Sequence, residues 1–210
     1  GTGSEDRTNQ VYSVAFSPDD QLLATASGIA TSSGFGDLPP VPGDVKVWDL
    51  TTQRLVHHFK GHTAKGCGVT FSPDGKRLAS AGGGWGEPGE IKLWDLATGD
   101  ELDVGLQGRA GIVGPLSFSP DGKHLVWSRF DYPPDVVDRP SADKAHKEGR
   151  TKSVVVYWNL EKRQPDFEFL SHSEGVIDIA FRPDGEQLAT ASADGTIKLW
   201  DLLIGRDVRT

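Results

Sequence analysis

The chain has 210 residues, room for one large domain or two small ones, and its 36% hydrophobic and 25% charged residues are ordinary for a globular protein. A formal net charge of −8 argues against a general nucleic-acid or anionic-membrane surface, since both need a basic face. Cys67 is the only cysteine, which excludes an intrachain disulfide and disfavours a thiolate zinc site.

The 26 glycines and 13 prolines point to many turns rather than long helices. No apolar run nears the ~18 residues of a membrane-spanning helix, and no signal-peptide pattern is present. The chain holds no methionine and starts at Gly1, so a native start outside these residues is expected.

In chain order the sequence repeats itself. The first unit, about residues 7–60, holds "FSPDD" at Phe16, "LLATAS", the stretch "GIATSSGFGDLPPVPGD", "VKVWDL" with Trp48 and an outer run "RLVHHF". The second, about 61–107, opens with "GCGVTF" and continues with "FSPDG" at Phe71, "RLASAG", "GGGWGEPGE", "IKLWDL" with Trp94 and "ATGDE". The third, about 108–170, has "FSPDG" at Phe118, "HLVWSR", the long "RFDYPPDVVDRPSADKAHKEGRTK", "VVYWNL" with Trp158 and "DFEFL". The fourth, about 171–210, has "VIDIAF", "FRPDG" at Phe181, "QLATAS", a three-residue connection from Ala193 to Gly195 and "IKLWDL" with Trp200. The tryptophans are spaced by 46, 64 and 42 residues, so length is added inside units while their cores stay constant.

Each unit reads as three short strands and the start of a fourth. "VIDIAF" and "TIKLW" alternate and are β-branched, which suits a pleated, half-buried surface. "SPDG" is a tight turn: Pro presets φ, Asp accepts backbone N–H bonds and Gly takes the left-handed position. No helix-period stretch longer than a turn or two is visible. Cys67 reads as a small buried hydrophobe.

Four such units in register, each of strands closed by a Trp-Asp pair, resemble the WD40 (WD-repeat) β-propeller family over essentially the whole chain. The resemblance implies an all-β fold of four-stranded antiparallel blades. It also implies a buried His, Ser/Thr, Asp, Trp tetrad inside a blade. In the fourth unit this set is His172, Thr190, Asp194 and Trp200; in the second it is His62, Ser80 and Trp94, with Pro88 where the acid aligns and Glu87 or Glu90 as substitutes. Arg7 and Arg109 occupy the His position in the first and third units, and Trp127 the Ser/Thr position in the third. With Pro115 inside its first strand, the third blade is expected to be the least regular, and the fourth the most regular and rigid.

The extra length falls between the second and third strands of the first three units. Antiparallel geometry puts these connections at one end of every blade, and the family commonly uses such a face for partner recognition. The candidate partner-binding residues are Phe35, Trp85, Arg129, Phe130, Asp131 and Tyr132, aromatics and arginines being usual interface anchors. The aromatic start of the long loop is expected to be ordered and its charged remainder to move.

No catalytic constellation is visible. His57 and His58 point to opposite faces of a strand, and His124 and His146 are expected in solvent. "GGGWGEPG" precedes a strand, with no helix N-terminus to hold phosphate. Metal and cofactor sites are expected to be none.

The expected function is a non-enzymatic protein-protein interaction scaffold that uses the loop-enriched face, with a protein or peptide as partner, no nucleic acid and no membrane. The alternative is a sensor or regulatory module of a larger signalling enzyme (kinase, NTPase or protease) whose catalytic domain lies elsewhere, since the repeat style resembles bacterial WD-repeat proteins. The family usually closes a ring of about seven blades. The chain is therefore expected to be a cut from a longer propeller, one of two four-blade arcs that self-associate into an eight-blade ring, or a closed four-blade ring. An open arc leaves apolar blade faces uncovered at both ends.

Overall fold

A computed structural model describes residues 9–29, 42–63, 66–84, 87–103, 105–106, 112–133, 135–136 and 139–209. Phe35, Trp85, Arg7, Arg109 and the side chain of Cys67 lie outside the described residues.

Among the described residues, sixteen strands form four four-stranded sheets, each antiparallel and in sequence order. The first blade is β1 (Asn9–Phe16), β2 (Leu22–Ile29), β3 (Asp44–Asp49) and β4 (Arg54–Phe59). The second is β5 (Gly66–Phe71), β6 (Arg77–Gly84), β7 (Glu87–Asp95) and β8 (Glu101–Leu102). The third is β9 (Ile112–Phe118), β10 (His124–Asp131), β11 (Lys152–Asn159) and β12 (Gln164–Leu170), with helix α1 (Arg139–Lys147) between β10 and β11. The fourth is β13 (Val176–Phe181), β14 (Gln187–Ser192), β15 (Ile197–Asp201) and β16 (Arg206–Arg209). The first strands of successive blades lie side by side, and together they line an open central cavity of about 400 Å³. This is the blade arrangement of a β-propeller.

Turn chemistry sets the hairpins. In the second blade the Gly75 N–H donates to Ser72 O at 2.9 Å, and Asp74 accepts the Lys76 N–H at 3.1 Å. The Ser72 hydroxyl donates to Asp74 at 2.5 Å and accepts the Arg77 N–H at 2.9 Å. These bonds hold the Asp74 carboxyl below the usual carboxylate range. In the fourth blade Arg182 replaces the serine and pairs with Asp184.

Every first strand carries a β-bulge. Tyr12, Cys67 and Ile177 are each the extra residue against the second strand, and the register shifts at the same place in β9. Pro115 sits in that interrupted stretch, so no ladder bond is asked of it. The third blade therefore shares its irregularity with the others.

The core lies between blades. One cluster joins Ala24, Ala26, Val45 and Val47 of the first blade to Val69, Phe71, Leu78 and Trp94 of the second. Two equivalent clusters join the second blade to the third and the third to the fourth. Ring pairs bridge the joints: Phe59 stacks on Trp94 at 4.6 Å and Phe169 meets Trp200 at 4.9 Å. The two outermost faces are uncovered, with Phe16 and Ile197 each 63% exposed. The third blade is thus packed on both faces and the fourth, within these residues, on one.

The second and third inserted stretches differ from simple loops. In the second blade β6 and β7 keep pairing outward to Gly84 opposite Glu87, which lengthens the hairpin. In the third, pairing ends at Asp131 opposite Lys152, and the nine-residue α1 follows, a helix that the sequence reading did not contain. Basic residues fill its last turn and no acid its first, yet its C-terminus is closed by a full cap. Gly149, at φ +66°, donates to His146 O, and Arg150 N–H donates to Ala145 O, a Schellman motif. Lys144, His146 and Lys147 also suit the negative end of the helix dipole.

Candidate interaction face

Among the described residues, two blades hold buried polar chains. In the second, the Trp94 indole N–H donates to Ser80 Oγ at 2.8 Å, and Ser80 Oγ lies 2.7 Å from His62 Nε2. His62 Nδ1 lies 3.2 Å from Glu90 Oε2, which also accepts the Thr63 N–H at 3.0 Å. A carboxylate can only accept, so Nδ1 carries the proton, Nε2 accepts from the serine hydroxyl, and the serine oxygen accepts from the indole. Burial pushes the His62 pKa down, against the raising influence of Glu90, and the ring stays neutral. The fourth blade repeats the chain: Trp200 donates to Thr190 at 3.0 Å, Thr190 Oγ1 lies 2.8 Å from His172 Nε2, and His172 Nδ1 lies 3.1 Å from Asp194. Burial raises the Asp194 carboxyl, but bonds from Thr196, Ser173 and His172 outweigh it and hold the group well below the usual range.

These sets contain a hydroxyl, an imidazole and an acid, yet they are sealed. Ser80 and Thr190 are 0% exposed and His62 is 2% exposed. No substrate carbonyl can reach either hydroxyl, so the geometry ties the third strand to the second rather than activating a nucleophile. In the third blade Trp127 stands at the hydroxyl position and its ring meets Trp158 at 5.9 Å.

The end of the blades that carries the second-to-third-strand connections is built differently. Arg129 Nε bonds both Asp131 oxygens at 3.0 and 3.1 Å, and Nη2 reaches Glu168 at 3.2 Å. Burial lowers the Arg129 pKa, but bonds to Glu168 and Asp131 outweigh it and hold the charge. Arg129 and Asp131 are thus engaged within their own blade. Phe130 meets Tyr132 edge-on at 5.2 Å and the His146 ring at 6.2 Å; Phe130 and Tyr132 stay half-buried.

Helix α1 is anchored by Ala145, which is 0% exposed. His146 Nε2 lies 2.6 Å from Glu174 Oε1 in the connection that opens the fourth blade, and Nδ1 lies 3.2 Å from Thr151 Oγ1. Arg150 bonds Asp135 at 3.0 Å and Glu148 at 2.8 Å. The described part of the charged stretch, residues 139–150, therefore forms a capped helix bonded to the next blade, and His146 is partnered although part-exposed. His124 also departs from expectation. It stacks on Tyr157 at 4.3 Å and meets Asp166 at 3.0 Å. Burial raises the Asp166 carboxyl, but bonds from Asn159, His124 and Lys162 overcome this and bring it down to about 2. His57 reaches Leu96 O at 2.9 Å and His58 reaches Asp44 at 2.8 Å.

The fold and its Trp-closed strands define a WD-repeat β-propeller. The WD domain, G-beta repeat family matches residues 2–34, 53–95 and 163–201, more than half of the chain, and the chain belongs to that family. The stretches 53–95 and 163–201 each begin one residue before the fourth strand of one blade and end on the third strand of the next, so the sequence repeat spans a joint between blades. The chain is 27% identical to Periodic tryptophan protein 2 of Arabidopsis thaliana, over 95% of this chain and 18% of that protein. It is 29% identical to Pre-mRNA-processing factor 19 homolog 2 of the same plant, over 95% and 31%. It is 30% identical to small ribosomal subunit protein RACK1y of Oryza sativa subsp. japonica, over 93% and 49%. The chain thus spans from about a fifth to a half of the length of these relatives.

Proposed function

We propose that the protein is a non-enzymatic interaction module that binds a protein or peptide through the end of the blades carrying the enlarged connections. One observation carries this reading. The fourth blade joins its second and third strands through Ala193 to Thr196, whereas the third uses residues 132–151 to hold Phe130 and Tyr132 half-exposed beside a docked helix. Ordering that many residues costs conformational entropy that a short turn avoids. What the longer segment gains is a preformed surface with aromatic anchors, the composition that dominates binding energy at protein interfaces. The family and the relatives support the same reading; one relative is by name a small ribosomal subunit protein, a component of a larger assembly.

The structure defines a clean deletion. Because Asp131 pairs directly with Lys152, residues 132–151 can be replaced by Asn-Gly, the two-residue turn that matches a tight hairpin. Proteins captured by the intact chain and by this variant are then compared by quantitative mass spectrometry, with tryptophan fluorescence as the check on folding. Loss of specific captured proteins is expected. An unchanged set from a folded variant removes this segment from the binding face.

A further inference from the structure

The turn between the third and fourth strands follows one plan in the four blades. Asp201 accepts the Leu203 and Ile204 N–H groups at 2.9 and 3.2 Å, as Asp95 accepts those of Ala97 and Thr98 at 2.8 and 3.0 Å. In the first three blades the two tip residues are Thr51-Thr52, Ala97-Thr98 and Glu161-Lys162, all exposed. In the fourth they are Leu203 and Ile204, 75% and 59% exposed. Each of the first three turns stays exposed although another blade follows it, so the exposure of Leu203 and Ile204 comes from the turn itself. The core between the third and fourth blades takes Leu202 from this turn and neither tip residue. Two adjacent aliphatic side chains held in water are the kind of surface that a partner covers.

The surroundings set the chemistry of that partner. The Leu202 N–H donates to Glu186 O at 2.9 Å, which holds this turn beside the one between β13 and β14. Asp184 and Glu186 share the single guanidinium of Arg182, and Asp201 caps the apolar turn. Among the described side chains, the two aliphatic tips therefore sit among three carboxylates and one cation. Arg182 and the Glu186 N–H hold the Asp184 carboxyl below its usual range, so it stays charged. Arg206 and Asp207, whose side chains lie outside the described residues, offset each other in charge.

We propose that the Leu203–Ile204 turn docks a basic peptide segment carrying an apolar residue. The apolar residue packs on the two tips, and Lys or Arg side chains beside it meet Asp184, Glu186 and Asp201. The turn lies at the end of the blades away from the enlarged connections, so this contact stands independently of the function proposed above. A short segment seated there leaves the second-blade turn at Lys76 uncovered, because the third blade lies between them.

A random peptide library selected against the native chain tests it. Leu203→Thr with Ile204→Thr recreates the tip of the first blade, so this double variant folds, as circular dichroism will check. Enriched peptides are expected to combine an apolar residue with several Lys or Arg. Labelled and measured by fluorescence anisotropy, they are expected to bind the double variant at least about tenfold more weakly. Asp184→Asn with Glu186→Gln keeps the tips and is expected to weaken the same peptides and flatten their salt dependence. Residues 132–151 are intact in every variant, so failure here leaves the enlarged end untouched. The proposal is overturned if no enriched peptide depends on the tips, or if the dependent peptides are acidic. It is also overturned if light scattering finds the native chain dimeric and the double variant monomeric, since a second copy then covers the tips.

Discussion

Thr190 joins two buried groups, and replacing it separates hydrogen bonding from packing. Its hydroxyl receives the Trp200 N–H at 3.0 Å and lies 2.8 Å from His172 Nε2, and the residue is 0% exposed. Thr190→Val keeps the volume and removes the hydroxyl. Both Trp200 and His172 then lose their partner in a space closed to water, at about 1–3 kcal/mol each, or about 3 kcal/mol together. Thr190→Ser keeps the hydroxyl and removes one methyl, at about 1 kcal/mol. For a chain of this size that places the Val variant about 6–12 °C below the native melting temperature and the Ser variant about 2–4 °C below. Thermal unfolding followed by tryptophan fluorescence and by circular dichroism reads both. If the Val variant melts at or above the Ser variant, packing governs the site and the hydrogen-bonded chain is not a significant source of stability.

Further outcomes follow from other sites. Burial keeps His62 neutral in the folded chain, so the unfolded chain takes up the extra proton on acidification. That contribution is complete above the ordinary histidine pKa of about 6.5 and is lost as pH falls through it toward the folded value. A second loss, from Asp166, begins near pH 4 and runs down to about 2. Urea midpoints that stay level from pH 7.5 to 5.5 would contradict the first of these. Gln53 and Arg163 hold φ of +56° and +55° where the second and fourth blades place Gly99 and Gly205. Gln53→Gly should therefore raise stability by about 0.5 kcal/mol, strain relief exceeding the added chain entropy; a lower urea midpoint would speak against strain at this turn. His146→Ala removes the link to Glu174, and amide exchange across residues 139–147 should quicken by about fivefold, from roughly 1 kcal/mol of lost bonding. Unchanged exchange means that the link to Glu174 does not hold the helix.

The blades were legible because their signals are local. "SPDG" sets a turn within four residues, and alternation in "TIKLW" sets a strand face within five. The polar chains were legible as residue types, but the acid in the second blade was narrowed to Glu90 only by the outward run of β6 and β7. Helix α1 was not legible from hydrophobic period, because among the described side chains the polar "RPSADKAHK" places one small residue, Ala145, in the core. Its end signals were present: Pro140 in the first turn and Gly149 just past the last. His146 and Glu174 are 28 residues apart, and only the placement of neighbouring blades brings them together. The same holds for His124, whose partner Asp166 is 42 residues away. Turn chemistry placed His124 beside a loop but could not show the outer strand beside it.

The proposed function rests on which end of the blades meets a partner, and site-specific photo-crosslinking reads that directly. A photoreactive side chain at Lys144, 72% exposed on α1, probes the end with the enlarged connections. The same group at Lys76, in the turn between β5 and β6, probes the opposite end. In cell extract, discrete protein adducts are expected from position 144 and none above background from position 76. Adducts confined to position 76, or equal from both, would contradict recognition through the enlarged end.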